Sequence, residues 1–160
     1  NKYKNQIKSI KKLILFKYKK EEEINKEILL LEEMSSKNNL SIFEKIKVLK
    51  INKFKGHKNL LYEFDVSVKN LLKEKFLENN ENIFLDFLSN DFSIKPANLN
   101  YYDNNELNII SMSKDFLKSE EIQKALDSVL QIREGEKYFA KWIMQANIFL
   151  DFKSKIERIK

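Results

Sequence analysis

Catalysis or metal binding needs convergent side chains, and few residues of this chain are of the types that supply them. There is one histidine, His57, preceded by Gly56 and flanked by Lys55 and Lys58. A di-iron centre inside a helical bundle draws on two Glu-x-x-His motifs, and the residue three before His57 is Phe54. With no cysteine, thiolate chemistry and Cys-based metal sites are excluded. His57 therefore reads as a solvent-exposed residue at a helix terminus, and no metal or cofactor is expected. Dinucleotide and phosphate loops need several glycines close together; Gly56 and Gly135 are the only two and lie far apart. The serines fall at breaks in the hydrophobic pattern, where capping accounts for them. Glu21-Glu22-Glu23 and Glu32-Glu33 are carboxylate clusters with no apolar pocket to perturb them, so they read as solvated. No nucleophile–base pair is legible, and the expectation is a protein without enzymatic activity.

The remaining chemistry is charge. Residues 1–75 carry nineteen lysines against ten acids, whereas residues 76–160 carry eleven basic residues against fourteen acids. The first twenty residues hold eight lysines and no acid. Such asymmetry suits an anionic partner. Its plainer reading is a solvated, lysine-covered surface. The candidate anionic-ligand face is Lys8, Lys11, Lys12, Lys19, Lys20, Lys45, Lys47, Lys50, Lys53 and Lys55. Twenty-eight of the thirty basic residues are lysine and only Arg133 and Arg158 are arginine. Base readout and bidentate phosphate recognition favour arginine's planar fork, so nucleic acid is the alternative partner and a sulfated glycan or acidic protein the first.

The elements that must hold these lysines follow from composition and periodicity. Two glycines and one proline are far below ordinary usage of about 7 % and 5 %. Tight positive-φ turns need glycine, so the expected class is all-α: one domain spanning 1–160, a bundle of five to seven helices. The eighteen asparagines cluster partly where helices should stop and are expected to take the left-handed positions glycine would fill. The organising element is the C-terminal helix, about 136–160. Tyr138, Trp142, Phe149 and Ile156, with Phe139, Ile143, Ala146 and Leu150, occupy roughly 140° of a helical wheel, and Phe152 and Ile159 widen it to about 200°. A stripe so wide places this helix among several neighbours, with Trp142 as the core anchor.

In chain order, residues 2–34 read as a long first helix with Ile7, Ile10 and Ile14 resuming as Ile24, Ile28 and Leu31. Between the two stripes, Lys17–Glu21, Lys19–Glu23 and Glu22–Lys26 are spaced for helical ion pairs; whether the helix bends there stays open. Ser35-Ser36-Lys37-Asn38-Asn39 breaks the pattern, and Ser41 with Glu44 forms a capping box for the next helix. Over 42–54, Ile42, Phe43, Ile46 and Leu49 keep helical steps while Lys45-Ile46-Lys47-Val48 alternates like a strand, and Gly56 is the expected stop. Asn59 to Leu77 is a helix on the period of Leu60, Phe64, Val68, Leu71 and Leu72. A short helix with Ile83, Phe84, Phe87 and Leu88 follows, then an irregular stretch over 89–105 whose Tyr101 and Tyr102 form a candidate binding loop. Asp103 with Glu106, Ser113 and Ser119 offer further helix starts, Ile122 to Leu130 is helical, and Gly135 marks a kink. No run of residues is apolar enough to span a bilayer or serve as a signal peptide. Because the chain starts at Asn1 rather than Met, removal of an upstream signal, lipid-bearing cysteine or tether is compatible with it.

A Lys/Asn/Ile-rich, Gly-poor, Cys-free helical chain of this kind resembles the Borrelia exported and outer-surface helical antigens, and in size the EppA/BapA group. The resemblance is one of general character along the whole chain. It implies an α-helical, exported protein at the cell surface or in the periplasm, with host proteins or matrix glycans as the class of partner. It carries over no individual functional residue. The alternative is a cytoplasmic nucleic-acid-binding protein using the same lysines.

Overall fold

The computed structural model describes residues 2–49, 53–76 and 104–160. The protein is all-α. Eight α-helices and one 3-10 turn, with no strand, make up the described residues: α1 Lys2–Lys19, α2 Asn25–Met34, α3 Leu40–Leu49, α4 Gly56–Phe76, α5 Asn104–Lys118, α6 Ile122–Val129, α7 Gly135–Tyr138 and α8 Ala140–Arg158, with the 3-10 turn Lys37–Asn39 ahead of α3. The count exceeds five to seven because the first stripe divides into α1 and α2 and the single turn α7 stands apart from α8. The chain forms two compact units, Asn1–Asn59 with Asn147–Lys160, and Leu60–Ala146, so the boundaries fall inside α4 and α8.

In the first unit the 2–34 stripe breaks after α1. The amide of Glu22 bonds the Lys17 carbonyl at 3.0 Å and that of Glu21 the Tyr18 carbonyl at 3.2 Å, a Schellman ending with Glu21 left-handed at φ 58. Lys17 consequently pairs with Glu27, at 2.5 Å, rather than with Glu21. Long-range packing fixes the break. Tyr18 on the last turn of α1 stacks on Phe152 (centroids 3.8 Å apart) and Phe54 (5.1 Å), and Phe54 lies 5.3 Å from Phe149. Gly56 is not the stop of α3 but the first residue of α4, at φ +85. A Cβ there would come within 3.0 Å of the Glu21 side chain and 3.2 Å of the Lys19 carbonyl, so only glycine lets α4 begin against the end of α1. Ser41 lies inside α3 rather than capping it. The entry is set instead by the buried Asn39, whose Nδ2 donates to the Ser36 carbonyl at 3.2 Å and the Lys160 carbonyl at 3.1 Å. The strand-like alternation at Lys45–Val48 is helical, with Phe43 and Ile46 buried.

The second unit is built on Leu60, Phe64, Val68, Leu71 and Leu72 of α4 against Leu107, Ile110 and Leu117 of α5 and Ile122, Ala125 and Val129 of α6, all buried. Trp142 is fully buried and meets Phe64 edge-on at 5.8 Å, while Phe139 lies 5.3 Å from Phe64. The indole N–H of Trp142 finds no acceptor among the described residues. Ser113 starts no helix: it is buried within α5 and its hydroxyl donates back to the Ile109 carbonyl at 2.7 Å. Ser119 precedes the start of α6 by three residues, and α5 closes with a second Schellman ending, Glu121 N–H to the Phe116 carbonyl at 2.9 Å, with Glu120 at φ 59. Glu134 stands at φ 60 before α7. Among the described residues the left-handed non-glycine positions are therefore taken by glutamates, not by asparagines. A glutamate has no polar group short enough to bond its own backbone as asparagine does, so the hydrogen bonds of the helix endings, not the residue's preference, hold these conformations.

A candidate anionic-ligand face on the first helix

Helix α1 carries seven lysines, with Lys20 just past its end, and its burial sorts them. Ile14 and Tyr18 face the core, with Ile7 and Ile10 half-buried. At about 100° per residue, Lys4, Lys8 and Lys12 fall within about 80° of one another on the flank beside that buried face, spanning about 12 Å along the axis. All three are exposed. None has an ion-pair or hydrogen-bond partner among the described residues.

Lys11 has another job. Its ammonium donates to the carbonyl of Glu157, at 3.1 Å, and to that of Ile159, closing the exposed carbonyl end of α8. Burial lowers its pKa, with Glu157 acting in the opposite sense. Beside this contact Lys4, Ile7, Lys8, Lys11, Ile159 and Lys160 line a groove of about 360 Å³. Two isoleucines floor it and four lysines rim it. That is a shape for an anion attached to an apolar or sugar-like body.

The other lysines of the candidate face are not gathered here. Lys19 stands over the Phe149 ring at 5.9 Å and Lys20 over Phe16 at 4.2 Å. Lys45 and Lys47 are about 200° apart on α3, so they point to different sides, and Lys47 approaches Glu32 at 3.9 Å. Lys53 and Lys55 flank the buried Phe54 and are themselves engaged. Lys50, Tyr101 and Tyr102 lie outside the described residues. Lys4 and Lys160 were missed by the sequence reading. Lys4 had a signal, the four-residue spacing to Lys8 and Lys12; Lys160 had none, because the fold alone brings it to α1.

His57 is half-buried in the first turn of α4, rather than exposed to solvent, and has interaction partners. Glu21, Glu22 and Glu23 are exposed in the α1–α2 turn. No group of three or more His, Asp or Glu among the described residues is placed to hold a metal ion, and no described helix is long and apolar enough to cross a membrane. No protein-family model, curated protein or solved structure matches the chain.

Proposed function

We propose that the protein is a non-enzymatic binding protein that takes an acidic ligand, a sulfated glycan in the first instance, on the lysine flank of α1. One observation carries this reading: Lys4, Lys8 and Lys12 line up with no ion-pair partner among the described residues, beside a groove that Lys11 and Lys160 complete. Lysine's compact ammonium suits sulfate and carboxylate groups of variable geometry, without arginine's planar fork. Display outside a bacterial cell accords with the composition that resembles Borrelia exported antigens. Protease treatment of intact cells checks that placement; a protein cut only after lysis sinks it.

Retention on immobilised heparin tests the binding. The expected result is retention at ~0.1 M salt and elution as salt rises, with a Lys4→Gln, Lys8→Gln, Lys12→Gln triple variant eluting much earlier. A wild-type protein that flows through, or a triple variant that elutes with it, refutes the lysine flank as the site. Competition by duplex DNA stronger than by heparin, with a log–log salt slope near −0.9 per phosphate neutralised, replaces the glycan with nucleic acid.

A further inference from the structure

Helix α1 also exposes apolar side chains, next to the lysines and on the side turned toward α2. Phe16 is 53 % exposed and Leu13 45 % exposed, three residues apart on one side of the helix. Leu30 of α2 is 45 % exposed and joins Ile10 and Met34 in a shallow groove of about 520 Å³, whose remaining wall is Lys2, Asn5, Gln6 and Ser9. On the helical wheel this groove and Leu13 share one side of α1, with Phe16 at its edge toward the lysine flank. Lys2 and Lys20 stand at the two ends of the apolar strip and Lys12 beside it. The Lys20 ammonium lies over the Phe16 ring, 4.2 Å from its centroid, which holds a cation beside the strip.

An apolar strip bracketed by lysines, on a helix with no acidic residue, is the pattern of a helix that lies in the interface of an anionic bilayer. We infer that α1 docks flat on an anionic lipid surface, with Phe16, Leu13 and Leu30 entering the boundary between headgroups and acyl chains and Lys2, Lys12 and Lys20 on the headgroups. This rests on the reading of α1 as an anion-facing surface and adds a lipid contact on the apolar strip beside the glycan-binding flank. Charge complementarity decides between occupants. A soluble sulfated chain satisfies the lysines but leaves Phe16 and Leu13 in water. A second copy of this chain would bring the same lysines against lysines, like against like. An acidic bilayer supplies both the negative charge and the apolar boundary. The lysine stems reach along the strip while their ammonium groups stay at headgroup level.

Co-sedimentation with vesicles tests the inference, using phosphatidylcholine alone and phosphatidylcholine mixed with phosphatidylglycerol. The expected result is binding to the acidic vesicles only. A Leu13→Ser, Phe16→Ser double variant should bind them at least about tenfold more weakly while keeping wild-type retention on heparin. Removing the charges of Lys2, Lys12 and Lys20 with glutamine should weaken vesicle binding by about a hundredfold. Because Leu13 and Phe16 are exposed, circular dichroism should show the double variant folded. Should it unfold, Phe16→Trp replaces it, with a blue-shifted emission on acidic vesicles expected and an unchanged spectrum overturning the docking. Heparin retention without vesicle binding overturns the lipid occupant and leaves the glycan reading standing. Vesicle binding that ignores Leu13 and Phe16 reduces the contact to charge alone and overturns the inserted strip. Dimerisation in sedimentation equilibrium that the double variant abolishes, with no vesicle binding, hands the strip to a second copy.

Discussion

Replacing Tyr18 with phenylalanine tests the central packing of the first unit. The phenol ring is the hub of an aromatic cluster with Phe54, Phe149 and Phe152. Its hydroxyl has no hydrogen-bond partner among the described residues. Burial raises its pKa above the ordinary 10.0, and the carboxylate of Asp151 adds to the shift. A buried hydroxyl with no partner costs about 1–3 kcal/mol in desolvation. Tyr18→Phe keeps the stack and removes that cost, so stability should rise by about 1 kcal/mol and Tm by about 2–4 °C. The pH dependence gives a second reading of the same group. Because folding raises its pKa, the neutral phenol is the form the fold keeps. Its contribution is intact below pH 10.0 and is lost as pH rises beyond it. Chemical denaturation of both proteins between neutral and strongly alkaline pH measures this, and the variant should lose stability less steeply above pH 10.0. A variant destabilised by more than about 1 kcal/mol, the worth of one ordinary hydrogen bond, would show that the hydroxyl has an acceptor and refute the reasoning.

Three further outcomes are expected. Glu120→Gly relieves a left-handed residue costing about 1–2 kcal/mol and gives back about 0.5–1 kcal/mol in chain entropy, for a net gain of roughly 0.5–1 kcal/mol by denaturant titration. Gly135→Ala should cost about 1–3 kcal/mol in the same assay, because its Cβ overlaps the Val129 carbonyl and comes within 3.3 Å of the Ile132 Cβ. The Lys17 hydrogen bond lowers the Glu27 pKa below its ordinary 4.5. Its contribution is therefore present above pH 4.5 and lost as pH falls through the lowered value, and Glu27→Gln should flatten that part of the acid unfolding curve.

The sequence was legible where one element's own periodicity decided the outcome. The arc around Trp142 predicted which side of α8 is buried: Phe149, Phe152 and Ile156 are buried on it, Ile143 and Leu150 are half-buried, and Ile159 is buried just past its end. The stretch from Leu60 to Leu72 reads as α4 for the same reason. It was illegible where a distant residue decides. Ion-pair spacing favours a continuous helix through Lys17–Lys26, but each such pair is worth only a few tenths of a kcal/mol. Burying Tyr18 among three phenylalanines and seating Gly56 on the Lys19 carbonyl outweigh them. The same holds for the candidate site. Lys8 and Lys12 share a flank by spacing alone, whereas Lys11 leaves it because carbonyls from the far end of the chain claim its ammonium. Leu13 and Phe16 sit in an apolar run that looks like core, and only the packing of α1 on its neighbours leaves them at the surface.

The split of the first unit between both ends of the sequence also has a bearing on biosynthesis. Its aromatic cluster needs Phe149 and Phe152, and its helix-end contacts need Glu157, Ile159 and Lys160. A nascent chain carrying only the N-terminal helices would therefore hold Ile14 and Tyr18 open until residues 149–160 have been made. During that interval a handling factor that grips apolar segments could reach residues that are sealed for the rest of the protein's life.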